Sequence, residues 1–162
     1  DDVWDDNFLV EQLSYMKKKN AVCVCSAYRM IDDNSQVLSS ITIPKEIITE
    51  KDMQIRNYIG CLTGVYDSKK YGKIYLREEL KSIRDDYAYW LDIVKLEGMA
   101  HGNKKILASY RVISTSTTGK KYKLIGKQYK FYRQYLKLGR LTSIKNIFVW
   151  GIDGIRRFNN RM

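Results

Sequence analysis

The net charge of this 162-residue chain sits in its final stretch. Residues 119–162 hold twelve of the 29 Lys and Arg residues and one of the 18 Asp and Glu residues, Asp153. That stretch alone therefore carries +11, and residues 1–118 balance to zero. The division predicts a neutral domain over 1–118 and a basic extension over 119–162. The extension calls for an anionic partner: a membrane surface, nucleic acid or a phosphorylated substrate.

At this length there is room for one domain. A content of 44% hydrophobic and 12% aromatic residues predicts that it folds. Every stretch long enough to cross a bilayer carries charge, so no membrane span is expected. The opening Asp1-Asp2-Val3-Trp4 is acidic where a secretory leader is basic, and it lacks Met. The natural N-terminus is accordingly expected upstream.

Three cysteines give an odd count. Cys23 and Cys25 alternate in a strand-like run, so they share one face and are badly placed to bridge one another. Buried, reduced thiols are expected. A zinc site is not, because His101 is the sole histidine.

The hydrophobic pattern mixes strands and helices, which predicts an α/β domain. Asp5 or Asp6 is positioned to cap a first helix with the stripe Phe8, Leu9, Leu13 and Met16. Residues 22–43 read as a hairpin around the turn Asp32-Asp33-Asn34-Ser35. A short helix near 49–56 leads to a strand within 58–66. The clearest helix opens at Asp85-Asp86, with Tyr87, Trp90, Leu91 and Val94 at helical spacing and Gly98 as its stop. Two short strands are expected at 99–102 and 106–112. Basic helices near 120–138 and 142–158 finish the chain, the second with the stripe Ile144, Ile147, Phe148, Ile152 and Ile155.

Few residues suggest chemistry. Asp1 and Asp2, adjacent carboxylates in a loop, suit a hard divalent cation such as magnesium or manganese. Asp85 and Asp86 either complement the dipole of their helix or supply a general base. Beside Tyr87, Tyr89 and Trp90 they also suit a sugar, and spacing alone does not decide. Arg111 leads into a hydroxyl-rich loop containing Ser116, an arrangement suited to clamping phosphate.

Asp1-Asp2-x-Trp4, Asn57-Tyr58-Ile59-Gly60-Cys61-Leu62-Thr63, Asp85-Asp86-Tyr87-Ala88-Tyr89-Trp90-Leu91 and Leu107-Ala108-Ser109-Tyr110-Arg111 occur in this order. Together they resemble the C-terminal part of a bacterial family 2 glycosyltransferase of the GT-A (Rossmann-like) fold, of the kind that builds surface polysaccharide and lipopolysaccharide. The resemblance covers nearly the whole chain. It implies a mixed sheet followed by two basic amphipathic helices, and a transferase moving sugar from a nucleotide-sugar donor to a glycan or lipid-linked glycan acceptor with inversion.

On that resemblance Asp86 corresponds to the catalytic base. Asp85 stands where Glu or Gln is commoner. Asp1 corresponds to the second acid of a pair that holds a divalent metal on the donor diphosphate, with Arg111 and Ser116 assisting at phosphate. The nucleotide-binding βα units of the family have no counterpart here. The chain is thus expected to be an acceptor-side part, inactive alone.

Basic residues interleaved with aromatics from Tyr122 to Phe158 suit helices lying in an anionic membrane interface. The location this implies is cytoplasmic, peripheral at the inner face of the plasma membrane. The competing class is a non-enzymatic module binding membrane or nucleic acid. No motif of a nucleic-acid fold is present, and such a role leaves the acidic pairs without a task, so nucleic acid is not expected.

Overall fold

The computed structural model describes residues 1–80, 83–112 and 121–159, with side chains in the last stretch from 124 to 154. Ser116 lies outside the described residues, as do the side chains of Tyr122, Ile155 and Phe158. Along the chain come β1 (Val3–Trp4), α1 (Phe8–Lys19), β2 (Cys23–Ile31), β3 (Val37–Thr42), β4 (Ile47–Thr49) and α2 (Glu50–Met53). There follow β5 (Val65–Tyr66), α3 (Ser68–Tyr71), α4 (Asp85–Glu97), β6 (Met99–Arg111), α5 (Lys121–Lys130) and α6 (Arg140–Asn159).

The strands form one sheet in the order β1-β6-β2-β3, with β4 also on β6 and β5 also on β2. Only β2 and β6 run parallel; the other pairs are antiparallel. A mixed sheet covered by helices is the α/β class expected from the pattern. Central β2 is buried at every position from Cys23 to Ala27, as befits a strand covered on both faces. Cys23 and Cys25 join the core built on α4, with Leu91, Ile93 and Val94. A smaller cluster gathers Phe8 of α1 with Leu107 and Ala108 of β6.

Helix α4 follows its pattern closely. Tyr87, Trp90, Leu91 and Val94 are buried, and Gly98 ends the helix at φ 87° with its N–H donated to the Val94 carbonyl at 2.7 Å. The hairpin β2–β3 forms as expected, its turn held by Asp32 Oδ1 accepting from the N–H groups of Asn34 and Gln36.

Five expectations need correction. The segments expected as separate strands at 99–102 and 106–112 are one strand, β6. Its pairing with β2 slips between Asn103 and Ala108, so a bulge absorbs the polar Asn103-Lys104-Lys105 that reads as a break.

In the 58–66 region only Val65 and Tyr66 join the sheet. Cys61–Thr63 is a 3₁₀ turn, closed by the Gly60 carbonyl accepting from the Thr63 N–H at 2.8 Å and its hydroxyl at 3.0 Å.

In α1 the inward residues are Phe8, Gln12 and Met16, whereas Leu9 and Leu13 are exposed. Gln12 turns inward because Nε2 donates to the Thr63 carbonyl at 2.9 Å. Neither Asp5 nor Asp6 caps α1 through its side chain. Asn7 is the cap residue, and the Asp5 carboxylate is paired with Arg29.

The aromatic residues that follow α5 are not free for a membrane. Phe131 and Tyr132, in a π-helical turn that continues α5, are fully buried in the main core. Phe131 stacks on Tyr87 with ring centroids 4.4 Å apart, and the Tyr132 hydroxyl donates to the Ile55 carbonyl. Burying each such ring is worth about 1.5–3 kcal/mol, enough to fasten the extension to α4.

Helix α6 packs the other way round. Its inward contacts are mixed: Ile147 of the expected stripe packs against the main core, Ser143 is buried, Asn146 donates to the Gln54 carbonyl at 3.3 Å, Asp153 pairs with Arg56, and Trp150 lies under Arg84. Leu141, Ile144, Phe148, Val149 and Ile152 are exposed. Among the described residues no helix is long and apolar enough to cross a membrane.

Candidate active site

The site is built where α4 begins. Arg84 precedes the helix at φ 60°, a left-handed conformation that is costly for a side chain with a β-carbon. It starts α4 with Asp85 and Asp86 in the first turn. Asp86 lines a cleft of about 400 Å³ together with β3, the loop 56–61 and Asp153 of α6. The stretch Asn57 to Cys61, part of one matched motif, forms a wall of this cleft. Arg84 is largely buried, and that burial pulls its pKa down against the opposing pull of the Asp86 charge.

Cys61 lies within the electrostatic reach of three acidic groups. Desolvation raises its thiol pKa first, and the charges of Asp86, Asp2 and Asp85 add to the rise; the Trp90 indole acts in the opposite sense. Cys61 thus feels the charges of Asp2, Asp85 and Asp86, although Asp2 is more than eighty positions from the other two in sequence. All three cysteines are free thiols. Burial lifts Cys23 to about 12 and Cys25 higher still, so both remain inert protonated core groups, as expected from their strand.

Trp90 does not offer a face to a sugar. It is 5% exposed, and its ring packs against Gly64 in the core. Its indole is buried and pulls the Cys61 thiol pKa down, so the residue acts on the site from within the core.

Arg111 also differs from the phosphate clamp suggested by the adjoining loop. Its guanidinium donates to the carbonyls of Asp1 and Asp32 at 2.9 Å each, to that of Asp33 at 3.3 Å and to Ser35 Oγ at 3.0 Å. Its backbone N–H donates to Asp2 Oδ1 at 3.0 Å. The residue ties the start of the chain to the hairpin turn.

The fit to a divalent cation is incomplete. Asp1 and Asp2 offer hard oxygen donors, but Asp2 Oδ1 already accepts from Arg111. Among the described residues no three His, Cys, Asp or Glu side chains converge to hold an ion.

Tyr58 lies within the Asn57–Thr63 motif, whereas Arg56, Arg84 and Asp153 belong to the site but carry no motif signal of their own. Asp153 is the exception in one respect, because a single acid among twelve bases marks a position where charge has a local partner.

No family model matches the chain. It is similar to a Bacillus subtilis (strain 168) protein, TuaG, whose name assigns it as a glycosyltransferase of teichuronic acid biosynthesis. The two are 29% identical over 140 residues, covering 85% of this chain and 54% of TuaG. It is also similar to WfgD of Escherichia coli, named a UDP-Glc:alpha-D-GlcNAc-diphosphoundecaprenol beta-1,3-glucosyltransferase. Here identity is 29% over 155 residues, covering 94% of this chain and 59% of WfgD. The chain thus spans little more than half the length of the curated relatives it matches, and both bear glycosyltransferase names.

Proposed function

We propose that this chain is the acceptor-side part of an inverting family 2 glycosyltransferase of GT-A fold. The whole enzyme would move a sugar from a nucleotide-sugar donor to a hydroxyl of a lipid-linked glycan, in the synthesis of surface polysaccharide or lipopolysaccharide. The observation that carries this reading is the placement of Asp86, at the opening of α4 and in the wall of a cleft, in a chain similar to two named glycosyltransferases.

In the proposed step the Asp86 carboxylate accepts the proton of the acceptor hydroxyl as its oxygen bonds to the anomeric carbon. The bond from that carbon to the donor diphosphate breaks on the opposite face, which inverts the centre. Asp85 stands beside the base, Trp90 supports the cleft from beneath, and Arg111 holds Asp1, Asp2 and the hairpin turn in register. Magnesium or manganese belongs to the same proposal. Asp1 and Asp2 would contribute oxygen ligands to a set that the described residues do not complete, and the ion would supply charge stabilisation at the donor diphosphate. Ser116 stays a candidate on the phosphate side.

The same reading seats the protein on the inner face of the plasma membrane. The support is the outward apolar face of α6, with Leu141 85% and Phe148 66% exposed beside the exposed Arg140 and Lys145. A helix with an apolar face and flanking cations suits an anionic lipid interface.

The test is Asp86→Asn in the gene's whole product, measured as sugar transfer from nucleotide sugars to a polyprenyl-diphosphate-linked acceptor. Loss of a general base predicts a rate lower by about 10²–10⁴-fold with an unchanged fold. A variant that is folded and as active as its parent ends the assignment.

A further inference from the structure

The Asp86 cleft contains a cation that acid–base chemistry does not use. Arg56 lies flat against Tyr58, its guanidinium carbon 3.9 Å from the ring centroid. Its Nη1 donates to the Asp153 carboxylate of α6. Its Nε–H is buried and has no acceptor among the described residues. Arg56, Tyr58, Asp153 and Asp86 all line the same cleft.

These facts describe an anion receptor with a substitute anion in place. A guanidinium presents a planar fork of donors that matches a carboxylate or phosphate through paired hydrogen bonds. Stacking on Tyr58 fixes the plane of that fork, so little side-chain freedom remains to be lost when an anion binds. A buried donor without an acceptor is costly, and a phosphate oxygen would satisfy it. The anion now present is the single acid of a stretch that otherwise adds only positive charge. Its side chain is 32% exposed, against 18% for Arg56, so it lies on the solvent side of the pair.

We infer that Arg56 is the diphosphate-binding group of this cleft and that Asp153 holds its place until the ligand arrives. The ligand class is a diphosphate, carried either by a polyprenyl acceptor or by the nucleotide of the donor. The inference rests on the transferase reading for that choice of class, but its test needs no transfer.

Inorganic pyrophosphate is titrated into the chain by calorimetry, with circular dichroism of every variant. Arg56→Gln should weaken binding at least tenfold, roughly what the loss of a charge-assisted bond to phosphate does. Arg56→Lys keeps the charge without the fork and should fall between. Asp153→Asn removes the competing anion and should tighten binding severalfold. Lys145→Gln, an equal charge change on exposed α6, should leave it within about twofold.

Competition then separates the sources, since farnesyl diphosphate displaces pyrophosphate from an acceptor site and UDP from a donor site. Pyrophosphate binding that ignores Arg56→Gln, or that weakens in Asp153→Asn, overturns the inference. Binding that follows the pattern in a protein whose whole gene product transfers no sugar would keep the anion site and discard the transferase reading. Transfer with no pyrophosphate binding would do the reverse.

Discussion

A β-carbon at position 64 would lie 2.2 Å from Cζ2 of Trp90, well inside the closest approach of real atoms. Gly64 is thus the point where the loop leaving the cleft and helix α4 come into direct backbone-to-ring contact. The contact keeps the loop 60–64 low over the core, with Cys61 at the cleft and the Thr63 carbonyl within reach of Gln12.

Gly64→Ala should therefore cost about 1–3 kcal/mol, the usual penalty of overpacking. Urea denaturation measures it. Trp90→Leu in the same chain should recover part of the loss, because the atoms in conflict are removed. Equal stability of Gly64→Ala and the parent would show that the ring has room to move.

Two phenylalanines of the extension should behave oppositely. Phe131 is fully buried and Phe148 is 66% exposed. Phe131→Ala should cost about 3–5 kcal/mol in thermal or chemical unfolding. Phe148→Ala should change stability by no more than about 0.5 kcal/mol. On vesicles containing phosphatidylglycerol the order reverses: Phe148→Ala should weaken binding about tenfold, as expected for one aromatic withdrawn from lipid. Unchanged vesicle binding in Phe148→Ala would count against α6 as the lipid-facing element.

Asp52 should make stability depend on pH in the acid range. Burial disfavours its charge, but hydrogen bonds from Lys45 and from the N–H and hydroxyl of Thr49 outweigh it and hold its carboxyl below the ordinary value of 3.8. A carboxyl whose pKa is lower in the folded chain adds stability that is present above 3.8 and is lost as pH falls through the folded value. Asp52→Asn also removes the charge from the capping box of α2, so it should cost about 1 kcal/mol at pH 7. The difference should vanish near pH 2. A penalty that stays constant from pH 7 to pH 2 would assign it to packing.

Where local spacing governs, the sequence is informative. Helix α4 is visible in Tyr87, Trp90, Leu91 and Val94 because those residues sit at helical spacing on its buried side, and Gly98 ends it by a rule that depends on backbone sterics. The β2–β3 hairpin is visible because Asp32 makes its turn from within. Elsewhere the deciding partner is distant. Gln12 turns inward only because the Thr63 carbonyl, 51 positions on, needs a donor.

Met99–Arg111 is one strand because β2 tolerates a bulge, and nothing near Lys104 announces that. The polar contacts on the inner face of α6 depend on Gln54, Arg56 and Arg84, none of which adjoins it in sequence. The same holds for the site. Asp86 is visible as an acid opening a helix, but Arg56 and Asp153 become site residues only once a separation of 97 positions has been folded away.

The parallel pairing at the centre of the sheet has a kinetic consequence. Val24 pairs with His101 and Ile31 with Arg111, so every rung between β2 and β6 closes a loop of about 77–80 residues. Loop entropy is spent before the first of those rungs forms, and domains dominated by such distant contacts fold slowly. The hairpin and α4 are local and should be the early structures, waiting for β6 to arrive. Until it does, the small, hydrogen-bond-hungry edge from Cys23 to Ala27 stays open to a neighbouring chain, and that interval is when this protein is most exposed to aggregation.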